Sequence, residues 1–285
     1  MKFLITGING QLGHDINKEL LARGYTDILA PTRENMNLVD EEDVKRVICT
    51  YQPNIIFHCA AYTAVDKAEE EKEICYDVNV NGSKYIAKYA NEVNSRVIYI
   101  STDYVFNGTK DGIYEVDDKI SPINYYGKTK YLGEEEIKKC KNYLIARVSW
   151  VFGINGKNFV KTMLKLAETN DEINVVADQV GSPTYTVDLA HVLVEMALSN
   201  NNDTYHVTNE GYCSWYEFAK YIFEVNNIDI QINPIMTSEY KTIATRPINS
   251  KLSKSKLDID GFERLPEWKD AIERYSKVLK KEGNK

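Results

Sequence analysis

The sequence lacks the features that mark membrane proteins, disulfide-bonded secreted proteins and nucleic-acid-binding proteins. No apolar run approaches the roughly 20 residues of a membrane-spanning helix, so no membrane partner is expected. The five cysteines are odd in number and include no C-x-x-C pair, which predicts reduced thiols in a cytoplasmic protein. Lysine and arginine are dispersed and the formal net charge is −7, which argues against a nucleic-acid partner. A signal peptide is not expected, because the first predicted strand follows Met1 directly.

Linkers, internal repeats and low-complexity tracts are also absent from the chain. Its 285 residues, 43% hydrophobic and 27% charged, are enough for one large domain or two unequal ones. We predict a dinucleotide-binding domain over residues 1–150, which also receives part of 151–245, and a second lobe mainly over 151–285.

The first thirteen residues, MKFLITGINGQLG, predict a strand, a tight turn and a helix in that order. Gly7, Gly10 and Gly13 fall on the turn, where glycine allows close approach of the backbone to a diphosphate. The N-terminus of the following helix presents free N–H groups to such an anion. The spacing G-x-x-G-x-x-G differs from the general G-x-G-x-x-G fingerprint, so a glycine-rich turn without a ligand is the alternative.

Strands and helices alternate through the first half of the chain, which predicts βαβ units and a parallel sheet covered on both faces. The predicted strands are residues 2–6, 27–32, 54–59, 96–101, 143–150 and 173–177, and the helices between them are 11–23, 40–51, 72–93, 124–140 and 158–169. Later helices are predicted at 186–198, 214–225 and 267–281, with a short strand at 204–207. The fold class is therefore α/β, a Rossmann-type doubly wound parallel sheet with a smaller C-terminal α/β lobe.

A tyrosine and a lysine four residues apart are the strongest candidates for chemistry. Tyr126 and Lys130 share one face of a predicted helix, where an ammonium group beside a phenol lowers the phenol pKa. Ser101 and Thr102 follow at the carboxyl end of a strand, the edge where such sheets bind ligands. Asn79 lies inside a predicted helix although Asn is a poor helix former. A role in a proton relay or a kink of the helix would explain its presence there. The alternative for the Tyr–Lys pair is an ordinary solvated helix face.

Several blocks together resemble a known family. The blocks are GINGQLG at 7–13, AAYTAVDKAE at 60–69, STDYVF at 101–106, YGKTK at 126–130, RVSWVFG at 147–153, DQVGSPT at 178–184 and RPINS at 246–250. They resemble the extended short-chain dehydrogenase/reductase superfamily and, within it, the family of dTDP-4-dehydrorhamnose reductases. The match covers nearly the whole chain, and the blocks beyond the glycine turn and the Tyr–Lys pair carry most of its specificity.

The resemblance implies reduction of the C4 keto group of a dTDP-sugar by NAD(P)H. Tyr126 would donate the proton, Lys130 would hold the nicotinamide ribose and lower the tyrosine pKa, and Thr102 would polarise the carbonyl. The candidate cofactor-binding residues are Gly7, Gly10, Gln11, Leu12, Gly13, Thr32, Arg33, Asn37, Leu38, Ala60, Ala61, Tyr62, Asn79, Ser101, Tyr126 and Lys130. The candidate substrate-binding residues are Thr102, Asp103, Tyr104, Trp150 and Arg246. Arg246 would pair with the diphosphate of the sugar nucleotide. Trp150 would line the substrate site, and the alternative is that it packs in the core.

Coenzyme choice is predicted from the end of the second strand. Thr32 stands where NAD-specific sites carry an acidic residue, and Arg33 next to it suits a 2′-phosphate. NADPH is therefore expected, with NADH as the second coenzyme. Glu34 is the alternative contact, because a small shift of the strand end would bring it to the ribose instead. Some members of the family use Mg²⁺ at a subunit contact, so Mg²⁺ binding and a homodimer are retained as hypotheses. The acidic runs 69–73 and 134–136 are more typical of solvated helix faces than of a metal site. An NAD-recycling epimerase or dehydratase and a non-catalytic NADP-binding regulatory subunit are the alternative functions.

Overall fold

A computed structural model describes residues 1–283 of the chain. The strands are β1 (Phe3–Thr6), β2 (Ile28–Leu29), β3 (Ile55–His58), β4 (Arg96–Thr102), β5 (Tyr143–Val148), β6 (Val151–Phe152), β7 (Glu172–Val176), β8 (Val180–Gly181), β9 (Thr184–Tyr185), β10 (Thr204–His206), β11 (Asn209–Glu210), β12 (Cys213–Ser214), β13 (Gln231–Ile235) and β14 (Leu265–Glu267). The helices are α1 (Gln11–Ala22), α2 (Glu41–Tyr51), α3 (Val65–Ala68), α4 (Lys72–Tyr76), α5 (Gly82–Glu92), α6 (Tyr125–Ile137), α7 (Phe159–Ala167), α8 (Thr186–Leu198), α9 (Trp215–Asn226), α10 (Ser255–Ile259) and α11 (Trp268–Gly283).

Within the described residues, a parallel sheet of six strands in the order β10-β5-β4-β3-β1-β2 forms the centre of the fold. Every residue of β1 and β3 is buried, because helices cover both faces of the sheet. Helices α1 and α8 pack on one face, and α2, α5 and α6 contribute to the cluster on the other. The predicted doubly wound α/β fold is confirmed, and the carboxyl ends of the strands meet at one edge.

The sixth strand of this sheet is not the one that the sequence predicts. Residues 173–177 were expected to extend the central sheet, but β7 pairs in parallel with β13 in a separate two-stranded sheet. The burial of β7 alternates along most of its length, as in a strand covered on one face, whereas the central strands β1 and β3 are buried throughout. The position beside β5 is taken by β10, which lies much later in the chain.

The long helix predicted over residues 72–93 is interrupted. Helices α4 and α5 are joined by a π-helical turn, Asp77–Asn81, in the middle of which Asn79 is buried. A π-turn inserts one extra residue into a helix and is often found at functional sites. The helix is therefore irregular at Asn79, while a kink or a proton relay at this residue stays a prediction.

A second hydrophobic cluster, away from the central sheet, joins helices α7, α9 and α11 to strand β7. Phe218 and Trp268 are buried there, with ring centroids 5.7 Å apart. Ser214 caps α9 reciprocally with Glu217, as the Ser-x-x-Glu pattern indicates. These elements form the C-terminal α/β lobe; the domain boundary at residue 150 stays a prediction.

Over residues 1–283, no helix combines the length and the apolar character needed to cross a membrane.

Candidate active site

The glycine-rich turn between β1 and α1 forms one wall of a cavity of about 660 Å³. Gly7 has φ of 75°, and a Cβ added to it would lie 2.8 Å from the backbone nitrogen of Ala60. A Cβ on Gly13 would lie 2.4 Å from the carbonyl oxygen of Gly7, so the helix also packs too closely for any side chain here. Gly10 caps α1 without any side-chain hydrogen bond, which leaves first-turn N–H groups for a ligand. The turn therefore fits a dinucleotide diphosphate.

A second cavity, of about 490 Å³, adjoins the first, and both are lined by Gly7, Ala60 and Ala61. Thr32 and Arg33 line the second cavity, which Tyr126 and Lys130 do not line. Strand β2 ends at Leu29, three residues before the predicted end at Thr32, so Thr32 and Arg33 belong to a turn rather than to the strand. Two adjoining cavities over a glycine turn suit an extended ligand.

The structure brings nearly all predicted site residues to these two cavities. The first is lined by Gly7, Gly10, Gln11, Leu12, Gly13, Ala60, Ala61, Ser101, Thr102, Asp103, Tyr104, Tyr126, Lys130 and Trp150. The second is lined by Thr32, Arg33, Asn37, Leu38 and Tyr62, together with some residues of the first. Asn79 and Arg246 line neither.

The Tyr–Lys pair lies on the first turns of α6, whose N-cap Asn124 accepts a hydrogen bond from the Gly127 backbone at 2.8 Å. Burial raises the pKa of Tyr126 above its ordinary value, and the nearby Thr102 hydroxyl opposes the rise. Burial lowers the pKa of Lys130 to about 7, against the opposing effect of Glu134. In the chain without a cofactor, burial of the phenol has the largest effect on the Tyr126 pKa, and the lowering of this pKa by Lys130 stays a prediction.

Lys130 is positioned by packing as well as by its helix. Its ammonium lies 4.0 Å from the centroid of the buried Tyr99 ring, within the range of a cation–π contact. Thr102, at the end of β4, donates a hydrogen bond to Asp103 at 2.9 Å and accepts one from the Tyr104 backbone at 3.2 Å. The strand end and the helix thus present a hydroxyl, a phenol and an amine to one cavity.

Asp103 is a buried carboxylate with one unused acceptor. Its Oδ2 atom has no hydrogen-bond partner among residues 1–283, while Oδ1 accepts from Thr102. Burial raises the pKa of Asp103 to about 6, with the Ser250 and Thr102 hydroxyls opposing the shift. A buried acceptor without a donor is costly, so a ligand hydroxyl would be a favourable partner.

Two stacked indoles also line the first cavity. Trp150 and Trp215 have ring centroids 3.6 Å apart and planes within 10° of each other. Trp150 has φ of 48°, in the left-handed region that bulky residues rarely adopt, which fixes the direction of its side chain just after β5. Trp150 lines the cavity rather than lying wholly within the core, its alternative position.

Asn79 holds the cavity wall instead of facing the cavity. Its side-chain oxygen accepts from the Tyr62 backbone nitrogen at 2.8 Å, and its amide nitrogen donates to the Tyr62 carbonyl at 3.1 Å and to Thr129 at 3.0 Å. It therefore braces the segment after β3 against α6. Asn79 is 1% exposed and lines neither cavity, and its role as a direct cofactor ligand stays a prediction.

Arg246, expected at a diphosphate, is engaged by a carboxylate of the first half of the chain. Its guanidinium donates to Asp66 at 2.6 and 3.2 Å, and Asp66 also accepts from the Ala244 backbone. The Asp66 hydrogen bonds raise the Arg246 pKa against its burial. No local pattern indicates this pairing, because the two residues lie far apart in the chain.

Some lining residues were missed by sequence reasoning. They are Thr6, Ile8, Asn9, Pro31, Met36, Val39, Cys59, Thr63, Glu71, Ile74, Val78, Ile100, Val148, Ser149, Val151, Gly156, Lys157 and Trp215. Lys157 follows a glycine shortly after a predicted strand end, a position that would have justified naming it. Trp215 carries no such signal.

A metal site was kept open by the resemblance. Within residues 1–283, no group of three or more His, Cys, Asp or Glu side chains is arranged to hold a metal ion. The expectation of Mg²⁺ therefore has no support.

The protein has a doubly wound sheet, a glycine turn whose geometry fits a diphosphate, and a cavity lined by Thr102, Tyr126 and Lys130. These features are typical of dinucleotide-binding proteins of the extended short-chain dehydrogenase/reductase class. The model of the family described as RmlD substrate binding domain matches residues 1–281. The chain belongs to this family, that of the dTDP-4-dehydrorhamnose reductases.

Relatives and solved structures agree with this membership. The spore coat polysaccharide biosynthesis protein SpsK of Bacillus subtilis is 42% identical over 96% of both chains. The dTDP-4-dehydrorhamnose reductase of Aggregatibacter actinomycetemcomitans is 40% identical over 95% of this chain and 97% of its own. A crystal structure of dTDP-4-dehydrorhamnose reductase from Bacillus anthracis in complex with NADP is 41% identical, with a TM-score of 0.94 over 96% of this chain and 99% of that one.

Proposed function

We propose that the protein uses NADPH to reduce the C4 keto group of dTDP-4-dehydro-L-rhamnose, forming dTDP-L-rhamnose for the biosynthesis of cell-surface polysaccharide. The observation that carries the proposal is the convergence of Thr102, Tyr126 and Lys130 in the cavity that begins at the glycine turn. The names of the relatives support the substrate, and the NADP held by the Bacillus anthracis protein supports the coenzyme.

Each residue of the cluster has a role that its environment favours. The reduced nicotinamide supplies the hydride when it is bound. Tyr126 is protonated at neutral pH because its pKa is raised, so it holds the proton that the carbonyl oxygen must receive. Thr102 orients that oxygen by a hydrogen bond, and Lys130 binds the ribose hydroxyls next to Tyr126. As the pH rises through about 7, Lys130 in the unliganded chain loses its charge.

The substrate side of the cavity suits a sugar nucleotide. The unused Oδ2 of Asp103 accepts a hydrogen bond from a sugar hydroxyl. The Tyr104 ring, whose centroid is 5.8 Å from that of Tyr126, lines the same cavity. Trp150 presents an indole to the base or the sugar ring. These assignments place the keto group between Thr102 and Tyr126.

The test is NADPH oxidation with dTDP-4-dehydro-L-rhamnose, compared with other nucleotide-linked 4-keto sugars. Fast turnover with the first substrate and slow turnover with the others is expected. Purified protein that carries one bound NAD per chain and interconverts sugars without net oxidation would favour the epimerase alternative. Absence of turnover with every keto sugar, despite NADPH binding, would favour the regulatory subunit.

Replacing Arg33 by Ala should raise KM for NADPH by about tenfold and leave KM for NADH nearly unchanged. Arg33 is exposed and lines the second cavity, where a charge-assisted bond to the 2′-phosphate is available only with NADPH. Steady-state kinetics with both coenzymes measures the effect.

Glu34 provides the matched control for coenzyme choice. It is exposed and is not among the residues that line either cavity in the described chain, so Glu34→Ala should leave the NADPH to NADH ratio as it was. Equal losses with both coenzymes in the Arg33 variant would remove Arg33 from 2′-phosphate recognition.

Replacing Arg246 by Ala should weaken sugar-nucleotide binding by about tenfold and barely change NADPH affinity, as calorimetry would show. Because Arg246 is paired with Asp66, a second variant decides how it acts. If Arg246 binds the diphosphate directly, Asp66→Ala frees the guanidinium and preserves or improves affinity. Equal weakening in both variants would mean that the ion pair only positions the chain, and a loss confined to NADPH would contradict the assignment.

A further inference from the structure

The segment between β6 and α7, residues 153–158, crosses from the C-terminal lobe to the glycine-rich turn; we call it the bridging loop. The Asn155 side chain donates to the carbonyl oxygens of Asn9 at 2.9 Å and Gly10 at 3.4 Å. The Gln11 side-chain oxygen accepts from the Gly153 backbone at 2.8 Å and from Asn158 at 2.9 Å. The bridging loop is thus tied directly to the residues that surround the N-terminus of α1.

The bridging loop is also fixed from the side of its own lobe. Tyr275 donates from its hydroxyl to the Gly153 carbonyl at 2.8 Å, and Lys161 donates to the Gly156 carbonyl at 3.1 Å. Asn158 caps α7 by accepting from the Lys161 backbone at 3.0 Å. A loop that is held at both ends places its tip residue in a defined region of the cavity.

Lys157 is that tip residue. It is exposed and lines the first cavity together with Gly10, Gln11 and Gly156. Among residues 1–283, no carboxylate and no other acceptor binds its ammonium in the contacts of this structure. The other cation that lines this cavity is Lys130, which is buried against Tyr99 near the phenol of Tyr126.

We propose that Lys157 pairs with the diphosphate of the dinucleotide and that the bridging loop thereby closes the cofactor site from the C-terminal lobe. This inference rests on the proposed function, in which NADPH lies over the glycine turn. The dinucleotide is favoured over the sugar nucleotide because the hydrogen bonds of the bridging loop to the first half of the described chain go to residues 9–11. The α1 N-terminus supplies partial positive charge on one side of the diphosphate, and Lys157 supplies a full charge on the other.

The test measures dissociation constants of NADPH, NADH and dTDP by calorimetry for the full chain and its variants. Lys157→Met should weaken NADPH and NADH equally, by about tenfold, because both contain the same diphosphate. Binding of dTDP should change by less than about twofold. Lys157→Arg should retain most of the affinity, since it keeps the positive charge.

Lys165→Met is the matched control. Lys165 is also exposed, lies on α7 and lines neither cavity, so this variant removes the same net charge without touching the site. It should bind all three ligands as the unchanged protein does. The unliganded Lys157→Met protein should also keep its melting temperature, which separates loss of a ligand contact from loss of fold.

Three outcomes would overturn the inference: unchanged cofactor affinity in Lys157→Met, a loss confined to NADPH, or a greater loss for dTDP than for the cofactors. The second would point to the 2′-phosphate and the third to the sugar nucleotide. Failure of the proposed function is distinguishable, because a protein that binds NADPH through Lys157 yet reduces no 4-keto sugar would refute the reaction and support the contact.

Discussion

Replacing Tyr126 by Phe should lower kcat for the reduction by at least about 100-fold while NADPH still binds. The variant removes only the phenolic oxygen, so the cavity keeps its shape and loses the group that donates the proton. Stopped-flow measurement of NADPH oxidation, with calorimetry for cofactor binding, separates the two effects. The raised Tyr126 pKa means that the donor is already protonated at neutral pH.

Tyr125 offers a control one residue away on the same helix. Its ring contacts Lys72 at the surface and does not line either cavity in the described chain, so Tyr125→Phe should keep near-normal turnover. Turnover in Tyr126→Phe close to that of Tyr125→Phe would show that another group supplies the proton.

Replacing Glu134 by Ala should lower the free energy of unfolding by about 3–5 kcal/mol, the typical cost of leaving one partner of a buried ion pair alone. Glu134 is wholly buried and accepts from the Arg147 guanidinium at 2.8 and 2.9 Å and from the Ser101 hydroxyl. Without it, Arg147 would remain 3% exposed with its charge uncompensated. Urea denaturation followed by circular dichroism measures the loss.

Glu135 is the neighbouring control for this prediction. It pairs with Lys138 at the surface, an interaction of about 0.5 kcal/mol at most. Similar unfolding free energies for Glu134→Ala and Glu135→Ala would contradict a structural role for the buried pair. Because Glu134 also raises the Lys130 pKa, Glu134→Ala should shift the loss of the Lys130 charge to lower pH.

The central sheet could be predicted because its evidence is local in the sequence. Apolar runs, the spacing of three glycines and a Tyr–Lys pair at helical spacing are all visible without knowing what lies opposite them. The same local evidence could not separate β7 from the central sheet, since a short apolar run does not show how many of its faces are covered. Strand pairing with β10 depends on the whole fold.

The residues of the candidate site could be predicted where they belong to a recognisable motif. Their roles could not be predicted where they depend on contacts with residues distant in the sequence. The sequence predicts that Arg246 binds a phosphate, and only the fold shows that its guanidinium forms an ion pair with Asp66. Lys130 was expected to tune Tyr126, and only the fold shows that burial acts more strongly on both groups. For Asn79 the sequence predicts a proton relay or a kink; the structure shows a π-helical turn there, and its contacts with Tyr62 and Thr129 come from segments remote in the chain.

Strand β10 comes late in the sequence but belongs to the central sheet, and this limits how the gene could recombine with that of a relative. Apolar side chains from beyond residue 150 complete the core of the first half, namely Leu189, Ala190, Val192, Leu193, Val194, Met196, Ala197, Tyr205, Val207, Leu257 and Leu265. A single recombination point near codon 150 would therefore split one core between two parents. An exchange of the C-terminal lobe would have to leave α8 and β10 in place to keep this core intact.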